Sequence, residues 1–288
     1  MNKAIAESTS GKYRFDRLNH IHSYDGEPLM GTSTVVQIVS KGSSLQWWAS
    51  RMACEKFGFR HHKKHTADEI VFNATNHLHE IKGMDIDQYM MLLKSAYHAH
   101  KNQLEESAAE GVNMHGLVEL YIKAKISGDT SYTVHPKLRS FDDWAMKNVR
   151  QWLFSEAHCY NLALWVGGIC DLAYIDMDGN YVIGDVKNRS EYYITDFLQI
   201  AGYAHQIFSN GICDENGKSL RFSNQEDGVG LVFSRHEMFP MEKFSAPVSC
   251  PLDTAEMTRG FINAVALHKL KLDFEKKNKL QKKKESKI

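Results

Sequence analysis

Residues 168–187 read GICDLAYIDMDGNYVIGDVK, and they decide the fold. Two apolar segments, Gly168 to Asp176 and Tyr181 to Lys187, flank Asp178-Gly179-Asn180, a strong hairpin signal. An aromatic and apolar run from Ala157 to Val166 supplies a third strand before them. A helix follows from about Thr195 to Ser209. A glycine-bearing loop at 211–228 then leads to a strand over Val229 to Ser234, with a short one near Glu242. Strands followed by a helix and another strand, wrapped by helices, give an α/β domain. Alternation along the last hairpin arm puts Asp185 and Lys187 on one face and Val186 on the other. The loop length matters. A two-residue loop at Asp178-Gly179 would set Asp171 opposite Val186, on the wrong face from Asp185. A three-residue loop, Asp178-Gly179-Asn180, would pair Asp171 with Lys187 and align all three side chains. The odd loop, or an equivalent bulge, is expected.

The chain upstream is different. Residues 1–12 are polar. Tyr13 to Val39 read as short strands around a turn at Asp25-Gly26-Glu27-Pro28. Ser43 or Ser44 can cap a helix through Leu45, Trp48 and Met52 to about Phe57. A basic, histidine-rich loop, Arg60 to His65, precedes helices at roughly 67–82, 86–107, 110–126 and 137–151. Asp253 or Thr254 opens a last helix that grades into a lysine-rich tail. The expected division is a strand pair and helical wall over 1–106, a core over 107–250, and a helix with its tail over 251–288.

The 288 residues are 43% hydrophobic and 24% charged, which excludes wholesale disorder. Thirty-five basic residues balance 35 acidic ones, but residues 268–288 hold nine lysines against Asp273, Glu275 and Glu285. Without that segment 26 basic and 32 acidic side chains remain, so contact with a polyanion by the body must come from local patches. Five scattered cysteines contain no C-x-x-C pair, which disfavours a zinc ribbon and suits a reducing compartment. There is no apolar signal core and no apolar run of the roughly 18 residues a membrane helix needs, so a cytoplasmic protein without membrane contact is expected.

Two carboxylates on adjacent strands, Asp171 and Asp185, can hold a hard divalent cation such as Mg²⁺, with Mn²⁺ as substitute. The Val186 carbonyl could add an oxygen. Lys187 can orient or deprotonate an attacking water and stabilise developing phosphate charge. Gln199 and Tyr203, four residues apart, share one face of the following helix. Together these would hydrolyse a phosphodiester by in-line attack.

Four short patterns occur in a fixed order: Gly111-Val-Asn-Met-His115-Gly-Leu-Val-Glu119, Gly168-Ile-Cys-Asp171, Asp185-Val-Lys187 and Gln199-Ile-Ala-Gly-Tyr203. In these the chain resembles the RecB-like branch of the PD-(D/E)XK nuclease superfamily. That branch includes phage exonucleases, CRISPR-associated RecB-like nucleases and the mitochondrial genome maintenance exonuclease. Each pattern alone is weak, and the ordered set is specific. It covers about residues 107–235. Thr32 to Val35 and on to Trp48-Ala49 resemble the leading segment of phage members, less specifically. The resemblance implies a restriction-endonuclease-like core with a central mixed sheet flanked by helices. It implies a metal-dependent DNA exonuclease of recombination, repair or DNA-processing type, acting on linear DNA in a host cytoplasm. Asp171, Asp185 and His115 would be metal ligands and Lys187 the catalytic lysine. Gln199 and Tyr203 would support the site and contact the DNA strand, and Glu119 would orient His115 or a water. A single-strand-binding or annealing protein would be a natural partner. Some members hold an iron–sulfur cluster through four cysteines; that arrangement is missing, so no cluster is expected.

Plainer readings compete. A surface ion pair also produces Asp-x-Lys, and His115 could be a satisfied core histidine. Glu156, fifteen residues before Asp171, reads as a solvated strand end rather than part of the site. For Trp47 and Trp48, core packing of at least one outweighs base stacking in a single-strand channel. Arg60 to His65 and the lysine tail are either phosphate contacts or solvated surface. Gly211-Ile-Cys-Asp-Glu-Asn-Gly217-Lys218-Ser219 imitates a phosphate loop, but five residues separate the glycines where four are required, and it follows a helix. ATP is therefore not implied. A catalytically inactive nuclease-fold DNA-binding module and a structure-specific endonuclease stand as alternatives.

Overall fold

A computed structural model describes residues 12–39, 44–60, 66–221 and 228–285. The chain forms two compact units: Met1–Ser40 with Asn113–Ile288, and Lys41–Val112. Residues 12–39 lie in the unit that carries the sheet.

In chain order, β1 (Tyr13–Asp16), β2 (Ile21–Tyr24) and β3 (Glu27–Pro28) make a small antiparallel sheet. Then come β4 (Met30–Gly31) and α1 (Thr32–Val36). The β-branched run Thr32-Ser-Thr-Val-Val looked extended in sequence, yet it is helical. Tertiary contacts override propensity here: Val35 and Val36 are buried in the core, and the Thr32 hydroxyl donates to the Gly167 carbonyl at 3.0 Å.

The second unit holds α2 (Ser44–Glu55), α3 (Ala67–Lys82) and the first part of α4 (Ile86–Ser127). Thr66 and Glu69 form a reciprocal capping box that starts α3 at its expected position. The segments expected as 86–107 and 110–126 are one helix; Gly111 costs only about 1 kcal/mol inside it.

The remaining elements belong to the first unit. They are α5 (Arg139–Asn148), β5 (Val149–Asn161), β6 (Val166–Asp176), β7 (Tyr181–Lys187), α6 (Ile194–Asn210), β8 (Ile212–Cys213), β9 (Ser219–Leu220), β10 (Arg235–Pro240), β11 (Val248–Ser249) and α7 (Thr254–Glu285). Strand order is β11-β10-β7-β6-β5-β8-β9. β5, β6 and β7 are antiparallel, and β10 returns parallel to β7 after the α6 crossover, giving a mixed sheet. The strand expected at Val229 to Ser234 lies six residues later. Gly228 and Gly230 adopt φ of 78° and 79°, turning the chain where the apolar run suggested a strand.

Helices cover both faces. One core packs α1, α6 and α7 against Ala173, Ile175 and Ile183. The other packs Met114, Val118, Tyr121 and Ile122 of α4 and Phe141 and Ala145 of α5 against Leu172, Tyr174, Val182 and Val186. β6 and β7 are buried almost throughout, as central strands covered on both sides should be. Among the described residues no helix is long and apolar enough to cross a membrane.

Candidate active site

The site arises where the sheet forks. The β6–β7 hairpin closes on the three-residue loop 177–179, with Gly179 at φ 90° and the Asp176 carboxylate accepting from the amides of Asp178 (2.9 Å) and Asn180 (2.8 Å). The loop is odd, as expected, but it sits one residue earlier. Pairing therefore runs Ile175–Tyr181 to Leu172–Gly184, and one step further Asp171 comes level with Asp185 rather than Lys187. Parity is kept, so the two aspartates still share a face. The ladder ends there. The Val186 amide donates to Asp171 Oδ2 at 2.6 Å instead of to a strand carbonyl. Further along β6, β4 pairs with Val166 and Gly167 on the edge that β7 has left. A cleft of about 500 Å³ opens in the fork; its walls include Gly168, Thr32, His115, Glu156, Asp171 and Asp185.

Gly168 is required at the base of this cleft. A Cβ there would stand 2.5 Å from Tyr203 Cε1 and 2.8 Å from Thr32 Oγ1. The glycine of Gly168-x-x-Asp171 thus lets α6 lie close enough to reach the acids. Gln199 Nε2 donates to Asp185 Oδ1 at 3.2 Å and lies 2.7 Å from the Tyr203 hydroxyl. Gln206, one turn on, donates to Thr32 Oγ1 and to the Gly202 carbonyl, both at 2.8 Å, and so ties α1 to α6.

Three carboxylates line up across the sheet. Glu156 on β5 lies between the Ser155–Leu172 and Ala157–Cys170 pairs, opposite Asp171, and Asp185 follows on β7. Glu156 takes φ of 50°, a conformation that non-glycine residues rarely adopt. His115, from α4, sets its Nδ1 at 3.4 Å from Asp171 Oδ2 and 3.5 Å from Glu156 Oε1. One donor atom each from His115, Glu156 and Asp171 fall within 4.8 Å of one another, close enough to converge on one cation. Lys187 completes the group by pairing with Asp185.

The electrostatics follow from crowding acids under low-dielectric walls. Burial pushes the Asp171 carboxyl above its ordinary value, opposed by the nearby His115. Burial likewise pushes Asp185 up to about 7, opposed by Lys187 and reinforced by Asp171. His115 is raised to about 9, chiefly by Asp171, against its own desolvation. For Lys187 burial works downward, but Asp185 and Asp171 more than offset it, and the ammonium is held above its usual range. His115 and Lys187 thus supply the positive charge that the three carboxylates need, and a divalent ion bound here would take over that part from the His115 proton. The cluster's imidazole and carboxylate donors suit such an ion.

The structure brings together His115, Asp171, Asp185, Lys187, Gln199 and Tyr203, all expected, around one cleft. Val186 meets the site through its amide, as donor to Asp171. Glu119 is elsewhere: it pairs with Lys123 one turn along α4 and is not among the cleft residues. Glu156 corrects the sequence reading in the other direction. It lies well inside a 13-residue strand rather than at a solvated end, because β5 begins at Val149. Thr32 and Gln206 were missed; Gln199, Tyr203 and Gln206 at i, i+4 and i+7 carried that signal. Trp47 is exposed and Trp48 partly buried, so neither is core. Residues 61–65 of the basic loop lie outside the described residues.

Compared with models of known protein families and with curated proteins, the chain matches none.

Proposed function

We propose that the protein is a divalent-metal-dependent deoxyribonuclease built on a restriction-endonuclease-like core. The observation that carries this reading is the row Glu156–Asp171–Asp185 across three neighbouring strands, with His115 at one end and the Lys187 ammonium at the other. Surface acids do not need such a row, and a structural ion pair does not need three carboxylates and an imidazole in a cleft. His115, Glu156 and Asp171 would hold the cation, with Asp185 beside them. The ion would polarise the scissile phosphate and favour the hydroxide form of water.

The chain's own groups do the rest. Lys187, held by Asp185 and carrying its proton, faces the charge that builds on the phosphoryl oxygens as water oxygen bonds to phosphorus and the sugar oxygen leaves. Gln199 fixes Asp185 in place, and Tyr203 fixes Gln199. The resemblance described above points to an exonuclease acting on linear DNA.

The test is digestion of linear and closed circular DNA with Mg²⁺ or Mn²⁺. The wild type should degrade linear DNA and spare circles, and Lys187→Ala should be slower by about 10²-fold or more. No cleavage by the wild type, or equal cleavage by the variant, defeats the reading. Cutting of circles would favour an endonuclease, and binding without cleavage a nuclease-fold binding module.

A further inference from the structure

Helix α7 begins in the core and ends outside it. Asp253 caps it, its carboxylate accepting from the amides of Ala255 (2.8 Å) and Glu256 (3.3 Å). Met257, Phe261, Ala264 and Val265 are buried against α6 and the sheet. One turn later His268 lines the cleft that holds the acids. From Leu270 to Lys282 every residue is exposed. The helix thus runs from the wall of the cleft into solvent.

That outer stretch is chemically uneven. Residues 269–282 carry six lysines against Asp273 and Glu275. Leu267, Leu270 and Phe274 are 55%, 66% and 66% exposed. At i, i+3 and i+7 they share one face. Lys271 and Lys277 lie three residues before and after Phe274, so the ring has an ammonium one turn to either side. Continued outward, the same face reads Lys277 and Gln281, and its apolar character stops. Three residues are far too short a seam for a coiled-coil partner, which needs at least three heptads. An exposed ring bracketed by lysines matches what unpaired nucleotides ask for: a flat surface for a base and cations for the flanking phosphates.

We propose that this outer segment of α7 binds single-stranded polynucleotide next to the cleft, with Phe274 stacking a base and Lys271 and Lys277 holding the phosphates beside it. The inference rests on the nuclease reading for its purpose but not for its test, which needs no cleavage.

The experiment is fluorescence anisotropy of the full chain with a labelled oligothymidylate and with a blunt duplex of equal length, in EDTA, across about 50 to 200 mM salt. Phe274→Ala should weaken single-strand binding about tenfold, leave the salt slope intact, and leave duplex binding unchanged. The pair Lys271→Gln with Lys277→Gln should flatten the slope of log K against log salt by about 1.4, two phosphates at about 0.7 each. All three positions are exposed on a helix, and circular dichroism checks that it persists. Hydrolysis of bis(p-nitrophenyl) phosphate with Mn²⁺ should be equal in the wild type and these variants. An inactive wild type in that assay counts against the nuclease reading alone. An unchanged affinity in the Phe274 variant, an equal loss on duplex, or an unchanged slope in the lysine variant overturns the proposal.

Discussion

Two histidine sites in this protein have opposite chemistry. At the fork, His115 faces Asp171 and Glu156 and is raised to about 9. At the small N-terminal sheet, His22 and His158 face each other across Tyr13. The Tyr13 hydroxyl lies 2.5 Å from His22 Nδ1 and 3.0 Å from His158 Nδ1, donating to one and accepting from the other. Burial, with no acid close by, lowers His22 to about 3, and burial lowers His158 to about 4. Desolvation acts against the imidazolium in both places. The balance decides the outcome: carboxylates in contact outweigh burial at His115, whereas burial wins at His22, beside two other imidazoles, and at His158, where Glu215 and Asp214 oppose it only in part. The first suits the cation proposed above, and the second is a clasp holding β1 and β2 to β5.

The contrast is broken hardest at the acids. Asp171→Asn and Glu156→Gln should each lower cleavage by about 10²-fold or more, while leaving a cooperative unfolding transition. Glu156→Gln is the sharper of the two, because a solvated glutamate would tolerate it. In a thermal melt, Mn²⁺ at about 100 times its Kd should stabilise the wild type by about 2.7 kcal/mol, and most of that gain should vanish in either variant. The proton on His115 competes with the ion. Affinity for Mn²⁺ should therefore rise with pH up to about 9 and fall on acidification. Calorimetric titrations at several pH values check this, and a pH-independent affinity counts against His115 as ligand.

At the clasp the effect moves from rate to stability. Tyr13→Phe leaves two buried imidazole nitrogens without their partner, at a cost of about 2–4 kcal/mol. Activity per folded molecule should be unchanged. The pH sign follows from the lowered values. The unfolded chain binds protons near 6.5, and the folded chain resists them down to about 4 for His158 and about 3 for His22. The clasp's contribution is complete above 6.5 and is lost as pH falls through that window. Denaturation curves should show Tyr13→Phe shifting this acid limb. A limb identical to the wild type would mean that the histidines are not buried neutral in solution.

A packing prediction lies between the clusters. Gly168→Ala forces a methyl into 2.5 Å of Tyr203 Cε1, and should cost about 1–3 kcal/mol as an overpacked site. It should also slow cleavage, since Tyr203 and Gln199 hold Asp185. A variant as stable as the wild type would show that α6 can retreat.

What the sequence displayed was local. The hairpin over 168–187, the helix at 67–82 and the Gln199/Tyr203 face depend on residues a few positions apart. Each was legible for that reason. What stayed hidden depends on distant partners. Strand β10 contains His236 and Glu237, which hydropathy places at the surface. Glu237 is buried because Tyr174 donates to one carboxylate oxygen at 2.5 Å and Ser249 to the other at 3.2 Å, from two other strands. The apolar run Leu231-Val-Phe, by contrast, follows glycine turns, and Val232 is two-thirds exposed. Glu156 was hidden likewise: only the start of β5 at Val149 and the pairing with β6 carry it to Asp171.

The smallest effect separates two glutamates that sequence alone could not rank. Glu119 is one turn from His115 on the same helix, and by that spacing it could orient the ring. In the fold its carboxylate pairs with Lys123, an i,i+4 contact on a half-exposed face. Such pairs are worth about 0.3–0.5 kcal/mol. Glu119→Ala should change stability by no more than that and leave cleavage within about twofold, because His115 is set by Asp171 and Glu156 instead. The comparison is made in one rate series. If Glu119→Ala proves as damaging as Glu156→Gln, the histidine is held from its own helix, and the row of carboxylates across the sheet is not what defines the site.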